Sequence, residues 1–286
     1  MSDEQRRWFS QPVARVMLWL VLPLAAGVLV SLLVTRPVIG IIYFRDAVYS
    51  ESASDLIAQF TYAREHPEIR AVVIVMDSPG GSVGDTEKVY LELARLRQQK
   101  PVVTLVENMA ASGGYYIAAG TDYIMVEPSS RVGNVGVRVV LPASPAVYED
   151  EISTGPYKFY GDSRDATLRS LEPIKQSFYQ AVVLGRGATL KATPEEILSG
   201  KLYLGTEAVR LGLADTLGTQ SSALETAAGL AHIWNFDTKD LREQAGLSTV
   251  YYGLFFRESE DGSVSPYPRE AGMYLLYIPS GAWRQP

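Results

Sequence analysis

Ser112 is the residue best placed to do chemistry in this chain. It sits in the run Asn108-Met-Ala-Ala-Ser-Gly-Gly-Tyr-Tyr-Ile-Ala-Ala-Gly120, downstream of Asp77-Ser-Pro-Gly-Gly81. Glycines at 80 and 81 permit backbone conformations closed to other residues, so their N–H groups can face an anion instead of a strand ladder. In the second run, small residues lead into a helix starting near Ser112, which sets the hydroxyl and the Gly113 N–H at the positive end of a helix dipole. A nucleophile with donors aimed at developing negative charge is the arrangement of a serine hydrolase.

A serine hydroxyl needs a neighbouring base, most often histidine. The chain has only two histidines. His66, before Pro67, reads as a polar residue in the last turn of a helix, and His232 as an ordinary helix-end residue, so a Ser-His-Asp triad is poorly supported. Lysine is the alternative, and there are seven: Lys88, Lys100, Lys158, Lys175, Lys191, Lys201 and Lys239. Lys88 and Lys100 belong to a charged helix, Lys191 and Lys201 flank a polar one, Lys175 lies in an amphipathic stretch and Lys239 in the tail. Lys158 alone lies between aromatics, in Gly155-Pro-Tyr-Lys-Phe-Tyr160. A partly dry setting disfavours the ammonium form and pulls the pKa down from ~10.4 towards the range of a general base. The same pattern describes a lysine whose stem covers exposed tyrosines, and the residues alone leave both readings open.

The elements that must position these groups alternate between strand and helix. Strands are expected at Val38–Phe44, Ala71–Met76, Val102–Val106, Tyr123–Glu127 and Val135–Leu141. Helices are expected from Ser52 to Glu65, capped by Ser52 or Ser54, and from Asp85 to Lys100. Each glycine-rich motif then falls at a strand exit, where active-site loops belong. Further helical patterns cover Pro173–Tyr179, Thr193–Ser199 with Thr193 as cap, and Gly205–Gly212. Tyr115 and Tyr116 fit a helix core better than a groove. Val137–Leu141 reads as a pocket wall or a buried strand, Arg164 as an ion-pair partner, and Asp77 as an acceptor for backbone donors in its turn.

Val16 to Val34 contains no charge, and at ~1.5 Å per residue it covers roughly 28 Å as a helix, enough for a bilayer core. The run exceeds a signal-peptide core and lacks a small-x-small site before Arg36, so an uncleaved anchor is expected. Arg6, Arg7 and Arg15 precede it and only Arg36 follows closely, which keeps the amino terminus cytoplasmic and the remainder on the outer face. A net charge of −6 without blocks argues against a nucleic-acid partner. Without cysteine, and with two distant histidines, neither a thiol nucleophile, a disulfide nor a zinc site is expected, and the chemistry needs no cofactor.

The ordered blocks Asp77–Gly81, Ala110–Tyr115, Gly133-Asn-Val-Gly-Val137, the Lys158 segment with Asp162-Ser-Arg164, and Gly205–Asp215 resemble the SppA-type signal peptide peptidases. The resemblance runs from about Val38 to Ala228, with Asn134 standing where that family usually has serine. It implies an α/β fold of the Clp protease/crotonase-like type, a spiral of ββα units preceded by one transmembrane helix. It also implies Ser112 as nucleophile, Lys158 as base, and the Gly81 and Gly113 amides as oxyanion hole. Signal peptides or other hydrophobic peptides would be the substrates, and a homo-oligomer could assemble the dyad across subunits. The expected divisions are 1–15 cytoplasmic, 16–34 anchor, 36–234 peptidase domain and 235–286 an aromatic C-terminal extension. Crotonase-like acyl-CoA chemistry and a silent membrane scaffold are the alternatives. The extension is too aromatic for a disordered tail, so a short hairpin or a segment docked on a neighbouring subunit is expected, and a bolder reading makes Gly272–Ser280 a strand added to the substrate groove.

Overall fold

The computed structural model describes residues 12–33, 36–140, 154, 164–248, 256–258, 263–267 and 272–277. The chain divides into two units, Met1–Pro37 and Val38–Pro286. The first holds helix α1 (Pro12–Leu33). Its described side chains run from Val16 to Val28 and are all exposed, Trp19 at 79%. Among the described residues no helix is long and apolar enough to cross a membrane.

The second unit is built on a mainly parallel sheet. Strands β1 (Val38–Phe44), β2 (Ile69–Ser78), β4 (Val102–Ala111) and β5 (Tyr123–Val126) form its centre, with β9 (Thr216–Leu217) beyond β5 and β10 (Asp237–Asp240) beyond β1. The sheet therefore continues past Trp234 into the stretch expected to be extension, and the short helix α9 (Leu241–Gln244) buries Leu241 beside it. The central strands are continuous apolar runs because both faces are covered. Val72, Ile74 and Met76 enter one core with helices α2 (Ser50–Glu65) and α3 (Val83–Arg97), while Val73 and Val75 meet Ala223 and Ala227 of α8 (Gln220–Leu230) on the other face.

Two local expectations change. The cap of α2 is Tyr49, and Ser52 sits one turn inside, its Oγ accepting from the Tyr49 N–H at 3.0 Å. Lys100 is buried beyond the end of α3, donating to the Ala63 and His66 carbonyls at the carboxyl end of α2. A lysine that closes orphan helix carbonyls is a structural part, not a surface charge.

A long helix, α5 (Arg164–Arg186), carries Pro173 within it, and α6 (Pro194–Leu198) has the expected Thr193 cap, whose Oγ1 accepts from the Glu196 N–H at 3.2 Å. Helix α7 (Gly205–Leu211) ends at Gly212 in the left-handed region, as its sequence suggests. Strands β6 (Arg131–Gly133) and β8 (Leu202–Leu204) extend the sheet beside the end of β4. In the aromatic extension, β11 (Phe256–Glu258) and β12 (Val264–Pro266) pair antiparallel.

Candidate active site

Strand β4 runs unbroken to Ala111 and hands the chain directly to Ser112, after which α4 (Gly113–Ala119) begins. The reversal is sharp. Ser112 has φ 52° and ψ −118°, a conformation that L residues rarely adopt. Two hydrogen bonds hold it there: its N–H donates to the Gly133 carbonyl on β6 at 2.8 Å, and its carbonyl accepts from Tyr116 N–H at 2.9 Å. A nucleophile on a strained strand-to-helix turn stands clear of its neighbours, the arrangement of a nucleophile elbow. Helix α4 has only 7 residues, so the separate N–H donors weigh more than its dipole.

Those donors come from two places. Gly80 has φ +92°, and Gly81 approaches the chain so closely that a Cβ on it would stand 1.8 Å from the Val48 carbonyl oxygen. A Cβ on Gly113 would stand 3.1 Å from the Gly81 nitrogen, so the two amides predicted as a pair are gathered at one place. Ser112 itself is 2% exposed. It nevertheless lines a cavity of about 360 Å³ together with Asn134, Val137, Arg138 and Gly200.

Asn134 had no special signal beyond its departure from serine. It sits at φ 56°, which asparagine tolerates better than most side chains. Its N–H donates to Lys201 and its Nδ2 to the Gly200 carbonyl at 2.6 Å, tying the β6 loop to the turn before β8. Tyr115 is core: its hydroxyl donates to the Leu213 carbonyl at 2.9 Å. Val137 lines the cavity and β7 (Arg138–Val140) begins next to it, shorter than the strand expected from 135, and Leu141 lies outside the described residues. Asp77 accepts from Asn108 Nδ2 on β4 at 2.8 Å, in place of the backbone donors of its own turn that were expected, and burial pushes its carboxyl above the usual range. Arg164 is exposed at the start of α5, and the lysine loop it was expected to hold lies outside the described residues, as does Lys158.

The other candidate bases have structural positions. His66 caps α2, its Nδ1 2.8 Å from the Tyr62 carbonyl, and its ring stacks on Tyr62. Lys88, Lys175 and Lys201 face Asp85, Glu172 and Glu207, and Lys191 and Lys239 are exposed. Among the described residues no cluster could hold a metal ion.

Residues 94–233 match peptidase family S49. That stretch, just under half of the chain, is similar to this peptidase family. The match includes Ser112 and Gly113 and reaches through α8. Protease 4 of Salmonella typhi is 34% identical over 200 residues, covering 63% of this chain and 32% of its own length. A protein of Methanocaldococcus jannaschii, whose name marks it provisionally as a protease, is 31% identical over 202 residues, 65% of each chain. The chain thus spans less than two thirds of both relatives. A solved membrane-bound stomatin-specific protease in complex with a substrate peptide shares the fold, with a TM-score of 0.51 at 16% identity over 76% of this chain and 95% of that one.

One titrating group supports the loop that pairs with Gly81 through Val48. Burial raises the Asp46 carboxyl to about 6, against the opposing pull of hydrogen bonds from the Tyr49 hydroxyl and the Ala47 N–H. The folded chain therefore binds this proton more tightly than the unfolded one. Its contribution to stability is complete below pH 3.8 and is lost as pH rises through about 6. Asp46→Asn is expected to flatten that part of the curve and to be about 1–2 kcal/mol more stable than the parent at pH 7. Thermal melts of both proteins between pH 4 and 8 check this, and parallel curves would remove Asp46 from the account.

Proposed function

We propose that this chain is a membrane-anchored serine endopeptidase with a Clp protease/crotonase-like spiral fold, cleaving residual signal peptides or other hydrophobic, extended peptides through a Ser112/Lys158 dyad. The observation that carries this reading is the convergence of the strained Ser112 with the Gly81 and Gly113 amides beside an open cavity. The similarity of residues 94–233 to family S49 and the protease names among the relatives support the reaction class.

In the proposed reaction Ser112 Oγ attacks the scissile carbonyl while Lys158 takes its proton. The carbonyl oxygen becomes an anion held by the two glycine amides, and such donors are worth about 3–4 kcal/mol each where they have been removed. Lys158 returns the proton to the leaving amine, and water hydrolyses the acyl-enzyme. The other lysines lend Lys158 indirect support, since those described are engaged in ion pairs, buried on helix carbonyls or exposed on the surface.

Anchoring rests on the uncharged run from Val16 to Val34 and on the apolar side chains that α1 exposes from Val16 to Val28. With arginines at 6, 7 and 15 on the near side, the catalytic unit would stand on the outer face of the cell membrane, where signal peptides are left after export. A homo-oligomer, with Lys158 supplied by the same or a neighbouring subunit, belongs to the same proposal.

The test is cleavage of a signal-peptide-like hydrophobic peptide in detergent, followed by mass spectrometry. Lys158→Ala is expected to lower kcat/KM by roughly 10²–10⁴-fold with the fold intact. Unchanged cleavage would exclude Lys158, and no cleavage by the parent would favour the scaffold reading.

A further inference from the structure

Strand β13 (Gly272–Leu276) lies between β3 (Gly80–Ser82) and β7, antiparallel to both. Its register places Leu275 opposite Gly81 and Leu276 opposite Gly80. Two residues beyond Leu275, the Tyr277 N–H donates to the Pro79 carbonyl at 2.7 Å. Antiparallel ladders alternate bonded and non-bonded pairs, so Leu275 and Gly81 fall on the bonded phase.

The Leu275 carbonyl oxygen is therefore in an unusual place. A Cβ on Gly80 would stand 2.0 Å from it and 2.5 Å from the Gly113 nitrogen; a Cβ on Gly113 would stand 2.9 Å from it and 3.1 Å from the Gly81 nitrogen. The Leu275 carbonyl is thus gathered with both amides proposed as the oxyanion hole, at the residue that follows Ser112. The strand is also firmly seated. Leu275 is 1% exposed in the main core, while Tyr274 and Leu276 pack on the opposite side with Ala47, Tyr49 and Tyr267. Alternate side chains anchored on two faces, with the backbone paired on both edges, is how an extended peptide is held by strand addition.

We propose that this chain is its own substrate: β13 fills the groove as a bound peptide and presents the Leu275–Leu276 bond to Ser112 for cleavage. The proposal rests on the peptidase reading above. Ser112 Oγ would add to the Leu275 carbonyl carbon as its proton passes to the base. The bond to the Leu276 nitrogen breaks, that nitrogen takes the proton, and water hydrolyses the Leu275 ester, leaving a Leu275 carboxylate and a free Ser112 hydroxyl. Until that cut, the segment competes with any other peptide for the groove. Leu275 also marks an aliphatic preference for the side chain on the acyl side of the scissile bond.

The experiment uses the full chain in detergent and reads intact mass together with cleavage of an added hydrophobic peptide. The parent is expected to break after Leu275, releasing a fragment that begins at Leu276, and Ser112→Ala to stay whole. Leu275→Asp should abolish that break and, compared with parent chain still uncut, raise kcat/KM on the added peptide by about tenfold or more, because the groove is vacated. Cleavage of the added peptide with no cut at Leu275, or a cut that Leu275→Asp leaves unaffected, overturns the proposal and spares the peptidase reading. A parent that cuts neither itself nor the peptide overturns both.

Discussion

Ser112→Ala is expected to lower kcat/KM for a hydrophobic peptide by roughly 10⁴–10⁶-fold, the scale on which serine nucleophiles are lost. Ser112→Gly should be equally silent. The two variants part company in stability. Alanine retains the cost of φ 52° and ψ −118°, about 1–3 kcal/mol for a strained non-glycine residue, whereas glycine adopts that conformation freely. Against this, glycine makes the unfolded chain more disordered by about 0.4–1 kcal/mol. Ser112→Gly is therefore expected to be about 1 kcal/mol more stable than Ser112→Ala, measurable by denaturant or thermal unfolding beside the kinetics. Residual activity within tenfold of the parent would mean another nucleophile, and an alanine variant as stable as the glycine one would mean that the turn is not strained.

Strain of this kind is invisible in a one-dimensional pattern, and it marks where the sequence stops being readable. The strands around the site were legible because Ala71–Met76 and Val102–Val106 are apolar on both faces, which requires a buried parallel sheet. The motifs were legible because glycine pairs at strand exits have few other uses. Partner choice was not. Nothing in the composition of Asp237–Asp240 says that a polar tetrapeptide pairs with β1, since its stability comes from the edge it meets. Lys100 read as surface because its spacing from Ala63 and His66 exists only after α2 and α3 have packed. Strand β13 was suggested by the apolar run from Met273 to Ile278, but its antiparallel register with Gly80 and Gly81 depends on a loop conformation that only the folded chain defines.

The block from Gly205 to Asp215 carries a second large effect, because it ends in a buried ion pair that holds the site from behind. Arg186, at the end of α5, has a side chain 2% exposed, and that of Asp215 is 14% exposed. The guanidinium donates to both carboxylate oxygens, at 2.6 and 2.9 Å, and its Nε donates to the Gly212 carbonyl at 2.9 Å. Asp215 also accepts the Ile124 N–H at 2.7 Å, so the pair joins α5, the turn after α7 and β5. Removing one partner leaves the other charged and unpaired in the interior, at a cost of about 3–5 kcal/mol. Asp215→Ala is accordingly expected to lower the melting temperature by roughly 10 °C in a chain of this size. Replacing both residues by apolar ones of similar volume should recover part of that loss, because no lone charge remains. The effect should reach catalysis as well. Tyr115, three residues after Ser112, donates to the Leu213 carbonyl in the same turn, so loosening that turn frees the helix that fixes the nucleophile. Activity of Asp215→Ala measured well below its melting temperature should fall with KM little changed, since the edges of β3 and β7 proposed to hold the peptide are untouched. Full activity in a protein melting that much lower would show that Ser112 is held by β4 and β6 alone.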